Sequence, residues 1–229
     1  MMGKLRMENL LWVGQPYFAA ELRNCGWQKV HIHDFSEERV FSWQELIELA
    51  GFIPDVLVVA DKSMPPFVLG MEDFPCLTVF YSIDSHIHSW HPLYAQGFDA
   101  CLVSLQDLEN KFIGPFLNAD RVWRSPPFAQ PEDQPNPNSL KKWDGLFVGK
   151  LDAKLMPKRV KFFNELKKRV PSIHLTSGNY RPLFPQAKVI LNHVENEDLN
   201  FRVFEAMGIH FLLDSPPIEK VKTSSSSGV

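Results

Sequence analysis

Cysteine is scarce in this chain: Cys25, Cys76 and Cys101 are the only three in 229 residues. An odd number at wide spacing, with no C-x-x-C pair, excludes a disulfide framework and a zinc ribbon, and leaves reduced thiols within a core. Long apolar runs are also missing. Near the N-terminus only Leu10 to Val13 is continuously apolar, too short for a signal peptide or a membrane span, so no integral membrane segment is expected and the expected address is the cytoplasm. The strand-like segment ending at Gly14 lacks the Gly-x-Gly-x-x-Gly that a dinucleotide pyrophosphate needs for close backbone approach, which argues against a dehydrogenase. There is no P-loop and no Gly-x-Ser-x-Gly elbow. Charge of one sign is not in excess either. A formal net charge of -3 gives no electrostatic case for nucleic acid, so an anionic ligand would have to be met by local cations.

What is present is an ordinary globular composition, 45% hydrophobic and 22% charged, arranged in alternating patterns. Short apolar runs at Leu10–Gly14, Lys29–His33, Asp55–Ala60, Cys76–Tyr81 and Phe98–Val103 read as strands. Between them, Tyr17–Asn24, Ser42–Ala50 and Ser104–Phe112 read as helices. Ser42 with Glu45 three residues on is a capping box, and Gly51 stands where a left-handed helix end is expected. Such alternation predicts βαβ units and a largely parallel sheet.

Proline density then rises through Ser125–Ser139, which excludes helix interior and central strand and marks a domain boundary. The alternation restarts beyond it with strand Gly145–Gly149, helix Pro157–Arg169, strands Ile173–Thr176 and Val189–Asn192, helix Asn200–Met207 and strand His210–Leu213. The expected organisation is therefore two Rossmann-like α/β domains. The first spans 1–124, a proline-rich hinge spans 125–140, and a smaller second domain spans 141–214. The serine-rich stretch 215–229 reads as a tail, and the second domain reads as incomplete at its C-terminal side.

The most informative stretch is Glu197-Asp-Leu-Asn-Phe-Arg-Val-Phe-Glu205, two carboxylates seven residues apart at the entrance of a helix. Helical spacing sets Arg202 and Glu205 side by side. The preceding apolar segment ends at Asn192, so these groups lie past a strand's carboxyl end, where open α/β sheets bind ligands. A vicinal diol such as a ribose suits Glu205; the bland reading is a solvated loop and a surface carboxylate.

Four segments carry a narrower likeness: Phe80-Tyr-Ser-Ile-Asp-Ser-His-Ile-His-Ser89, Leu146-Phe-Val-Gly-Lys-Leu151, Lys188-Val-Ile-Leu-Asn192 and Leu199-Asn-Phe-Arg-Val-Phe-Glu-Ala-Met-Gly208. From about Asp55 to Leu213 the chain resembles the CgeB-like (spore maturation protein) glycosyltransferases, and Asn-x-Arg-Val-Phe-Glu-Ala is the most specific part. The resemblance implies a GT-B architecture and metal-independent transfer of a sugar from a nucleotide-diphosphate donor to a hydroxyl acceptor, with no cofactor besides the donor. It implies that Glu205 grips the donor ribose and that Glu197 lies near the transferred sugar. It assigns Asn192, Asn200 and Arg202 to the donor. Members of that family continue past the last strand seen here, which puts the activity of a shorter chain in question.

Lys150 and Arg159, at a strand end and in the first turns of a helix, would help neutralise a pyrophosphate together with the helix N-terminus; the competing reading is a solvated basic surface. In the first domain, Asp84-Ser-His86-Ile-His88-Ser-Trp-His91 follows a strand. Asp84 or His86 there could take the proton of an incoming hydroxyl. Two rival functions stay open. One is a non-catalytic nucleotide-sugar or partner-binding module, and the other is a metallo-hydrolase built on His86, His88 and His91, although the expected acidic ligand is replaced by Trp90.

Overall fold

The computed structural model describes residues 7–194, 200–209 and 212–214, in two compact units, Met1–Pro126 and Pro127–Val229. The serine-rich segment 215–229 lies outside the described residues.

In the first unit, β1 (Asn9–Gly14), β2 (Lys29–His33), β3 (Val56–Ala60), β4 (Leu77–Ser82), β5 (Ala100–Val103) and β6 (Val122–Arg124) form a parallel sheet ordered β2-β1-β3-β4-β5-β6. The central strands β1 and β3 are apolar at almost every position because both faces are covered. Leu11, Val13, Leu57 and Val59 turn into one core with Phe41, Leu46, Phe80 and Phe98. Trp12 turns the other way and meets Phe18 and Tyr81 edge-on.

Helix α1 (Trp43–Ala50) starts at the expected capping box. Ser42 Oγ accepts from Glu45 N, Glu45 accepts from Ser42 N, and Gly51 closes the helix at φ 72°. Two of the expected helices do not form. Tyr17–Asn24 contains only a 3-10 turn at Glu21–Asn24, and Ser104–Phe112 only one at Gln106–Lys111. A short helix α2 (His91–Ala95) and strand β6 had no counterpart among the expected elements.

In the second unit, β7 (Trp143–Val148), β8 (His174–Thr176), β9 (Ala187–Leu191) and β10 (Leu212–Asp214) form a second parallel sheet, ordered β10-β9-β7-β8. Period-2 alternation along β7 gives it two covered faces. Phe147 packs on Phe163 of α3 (Pro157–Arg169), while Leu146 and Val148 pack with Phe184 and with Ala206 of α4 (Phe201–Gly208). Between β8 and β9 there is no α-helix; Pro182 and Pro185 break the segment, and Phe184 fills the core position instead. The buried member of α4 is Ala206 rather than Phe201 or Phe204, because Phe201 turns to meet Phe128 edge-on. The chain is thus a mixed α/β protein with parallel sheets. No described helix is long and apolar enough to cross a membrane.

Candidate functional site

Each sheet reverses its winding direction once, between β1 and β3 in the first unit and between β7 and β9 in the second. The loops leaving the carboxyl ends of those strands diverge, which opens the crevice where this class of sheet binds ligands.

At the first crevice, Gly14 ends β1 at φ 111°, and the two described non-glycine residues with positive φ, Tyr17 (37°) and Ser63 (53°), follow β1 and β3. Strained backbone of this kind persists only where neighbours enforce it. Here the enforcing group is Asp61, 3% exposed, at the end of β3. Its carboxylate accepts from Ser63 N (2.8 Å), Asp84 N (2.8 Å) and Ile83 N (3.3 Å). Its carbonyl accepts from the Tyr17 hydroxyl at 3.3 Å. One buried side chain therefore sets the loops after both β3 and β4. Asp84, half-buried, also accepts from the Ser63 hydroxyl, whereas His86 is exposed.

His91 is fully buried under this loop. Its Nδ1 is 2.8 Å from Ser82 Oγ and its Nε2 lies 3.7 Å from Asp61 Oδ1. Burial drives its pKa from 6.5 down to about 4 against the pull of Asp61, with His88 lowering it further and Asp84 opposing. The imidazole is neutral in the folded chain at neutral pH. Between pH 6.5 and 4 the unfolded chain binds this proton and the folded chain does not, so stability rises with pH across that window and is lost on acidification. Taking pH 7 to pH 4.5, the expected contribution is a loss of about 1–3 kcal/mol. It is read as a fall in the urea midpoint at constant slope. A His91→Gln chain should show a flatter profile over the same interval, and an unchanged profile would mean that His91 is solvated.

At the second crevice, Lys150 leaves β7 and is exposed, and Asn192 leaves β9 and is 2% exposed. Asn192 Nδ2 donates to Asn200 Oδ1 at 3.2 Å. Asn200 occupies the N-cap position of α4 in an extended conformation, and its side chain does not cap the helix. Arg159 spends its guanidinium differently from the expectation of an open cation. Its Nε donates to His193 O (3.2 Å) and its Nη1 to Lys150 O (3.3 Å), which ties the chain leaving β7 to the chain leaving β9.

Arg202 and Glu205 meet as the helical spacing predicts, Nη1 to Oε2 at 2.8 Å, with side-chain exposures of 24% and 13%. The approach is off the hydrogen-bonding direction, so the contact is an ion pair rather than a directed hydrogen bond. The Arg202 guanidinium also lies 4.4 Å above the Tyr180 ring. Burial raises the Glu205 pKa above the usual carboxyl value; Arg202 opposes this, Asp133 adds to it, and the neighbouring Tyr180 hydroxyl opposes it.

Asp133, in the proline-rich segment, is the centre of the surrounding network. Its Oδ1 accepts from the Tyr180 hydroxyl (2.7 Å) and from Arg181 Nε (2.9 Å), and its Oδ2 accepts from Gln130 N (2.8 Å). Neither Asp133 nor the full role of Asp61 is signalled by local pattern, because their partners are up to 48 residues away in sequence. Glu197 lies outside the described residues.

The histidine cluster does not assemble as a metal site. His86 is exposed and His91 is buried against Ser82, and among the described residues no three His, Cys, Asp or Glu side chains come together to hold a metal ion. Of the cysteines, Cys101 is buried, Cys76 is half-buried and Cys25 is exposed, so Cys25 is not a core residue.

No family model matches the chain, and no curated protein matches it significantly. Among solved structures, the crystal structure of a glycosyltransferase from Rickettsia africae ESF-5 is similar at 7% sequence identity and a TM-score of 0.49, over 92% of this chain and 79% of that one.

Proposed function

We propose that the β7/β9 crevice receives a nucleotide-diphosphate sugar and that the chain is a glycosyltransferase of GT-B kind, passing the sugar to a hydroxyl acceptor. The supporting observation is Asn192: a buried amide at the end of β9 engages Asn200 and so fixes the side-chain-uncapped start of α4 beside the strand end that carries Lys150. A helix start of this kind, with a lysine close by, favours the phosphates of a leaving nucleotide diphosphate. Lys150 supplies the mobile charge. Arg159 braces the two carbonyls that frame the crevice and adds its field from behind. Arg202 opposes the effect of burial on Glu205, and an ionised carboxylate accepts two hydrogen bonds from a ribose diol.

On the acceptor side, the reading assigns Asp84 as the base, its backbone anchored by Asp61 and its carboxylate met by Ser63, with the exposed His86 as the other candidate. The acceptor oxygen bonds to the anomeric carbon and gives its proton to the base. The sugar–phosphate bond breaks, and its electron pair leaves with the nucleotide diphosphate. Glu197 is assigned to the neighbourhood of the sugar. The cationic groups and the helix end take the place of a metal, no further cofactor is called for, and a cytoplasmic address accompanies the reading.

Calorimetric titration with a panel of nucleotide diphosphates and their sugars tests this proposal. One or more should bind. Lys150→Ala should weaken that binding about tenfold with an unchanged melting temperature, as expected for one charge-assisted contact of about 1.4 kcal/mol. Glu205→Gln should cost about 1.5–3 kcal/mol of affinity. No binding to any member of the panel would remove the donor reading. Binding without donor hydrolysis or transfer would leave the non-catalytic binding module in its place.

A further inference from the structure

The face of α3 that points away from the second sheet is out of keeping with an acidic chain. Residues 141–169 carry ten lysines and arginines against three carboxylates, in a protein of formal net charge -3. On the helix, Lys158, Lys161, Lys168 and Arg169 are exposed on one side, while Phe163 on the opposite side is buried. Among the described residues Lys150, Lys154, Lys161 and Arg169 have no ion-pair partner, and Lys168 has Glu165. Leading into the helix, Asp152 Oδ1 accepts from Lys154 N and Leu155 N at 2.8 and 3.2 Å, and so holds a fixed turn. That turn presents apolar side chains to solvent: Leu155 is 63% exposed and Leu151 40%.

We propose that this surface docks the protein on an anionic lipid bilayer, with Leu155 entering the headgroup layer and the α3 cations lying over the lipid phosphates. The inference goes beyond the donor reading and does not depend on it. Unpaired lysines beside a rigid turn bearing exposed leucine complement a surface that is anionic outside and apolar just beneath. Polybasic segments gain affinity from each charge within a Debye length of such a surface, and an inserted apolar side chain adds a salt-insensitive part. A soluble polyanion would satisfy the lysines and leave the leucine without a partner.

The full chain is mixed with vesicles of phosphatidylcholine alone or with one third phosphatidylglycerol, and co-sedimentation is measured. Binding is expected to the anionic vesicles only, and to weaken between 0.1 and 0.5 M salt. Lys154→Gln, Lys161→Gln and Lys168→Gln together should weaken it about a hundredfold, from roughly fivefold for each charge removed. Leu155→Ser should weaken it about tenfold at either salt concentration while the melting temperature holds. Absence of binding at millimolar anionic lipid overturns the proposal. So does binding to heparin or single-stranded DNA that equals vesicle binding and is indifferent to Leu155→Ser, since the partner would then be a soluble polyanion. Salt-sensitive self-association in place of vesicle binding would overturn it in favour of a second copy of the chain.

Discussion

Gly14→Ala is expected to destabilise the first unit by about 2–5 kcal/mol. Gly14 sits at φ 111°, and a Cβ built there lies 2.0 Å from the Ala60 carbonyl oxygen and 3.1 Å from Phe67 Cζ. The clash is with backbone, and that backbone is the register partner of Gly14 in the β1–β3 ladder, so neither strand can retreat without breaking the centre of the sheet. Left-handed backbone costs an alanine about 1–2 kcal/mol, and overpacking in a dense core about 1–3 more. A total of about 2–5 kcal/mol is a large share of the about 5–15 kcal/mol that holds a domain. Trp12, 1% exposed and two residues away, reports the change through its fluorescence in a urea titration. Gly26 is the control, since it also has positive φ (85°) but open space around its missing side chain, and alanine there should cost only about 1 kcal/mol. Similar midpoints for the two variants would mean that the end of β1 does not pass this close to β3.

The second large effect is expected from Asp133→Ala. Its carboxylate has no exposed surface and takes hydrogen bonds from Gln130 N, the Tyr180 hydroxyl and Arg181 Nε. Removal leaves the Gln130 amide and the Tyr180 hydroxyl without their acceptor, while Arg181, 39% exposed, keeps Glu132 at 3.5 Å. Each half-buried donor left without its acceptor costs about 1–3 kcal/mol, so a loss of about 2–4 kcal/mol is expected. Neighbouring Glu132 provides the contrast. It reaches Arg181 at 3.5 Å from a side chain that is 67% exposed, so Glu132→Ala should fall in the weak range of surface pairs, about 0–1 kcal/mol. Amide hydrogen exchange gives the location of the effect: protection at Gln130 and along 179–183 should fall in Asp133→Ala and persist in Glu132→Ala. Persistent protection in both would show that prolines alone hold the segment in place.

The strands were legible because buried parallel strands are written as short apolar runs, and β1, β2 and α3 begin or end within a residue of the expected positions. Pairing and strand order are not written locally. The helix expected at Tyr17–Asn24 fails for a tertiary reason. The Tyr17 hydroxyl reaches Asp61 O and its ring packs edge-on against Tyr81, which pulls the residue into positive φ. The following turns then close three residues back, as in Leu22 N to Ala19 O, and Gly26 takes up a left-handed conformation just beyond them. Helix α2 has a visible signal in Pro92 at its start. At the second crevice, helical spacing was enough to bring Arg202 to Glu205. It could not show that Arg159 braces carbonyls, since a guanidinium's partners depend on where two strand ends meet.

The outermost strands bear on how the protein behaves when crowded. A sheet edge is a row of unpaired amides and carbonyls, ready to template another chain and seed fibrils. Here β2 is an edge strand, and its alternation puts Lys29, His31 and His33 on one face. The opposite edge, β6, and the edge β8 of the second sheet are three residues long, and β6 ends in Arg124. Stacking a copy of the chain onto β2 would align like side chains along the fibril axis. Lysine would face lysine at each step, and histidine would face histidine. Resistance to edge-to-edge aggregation is thus built into the strand that the sheet leaves open.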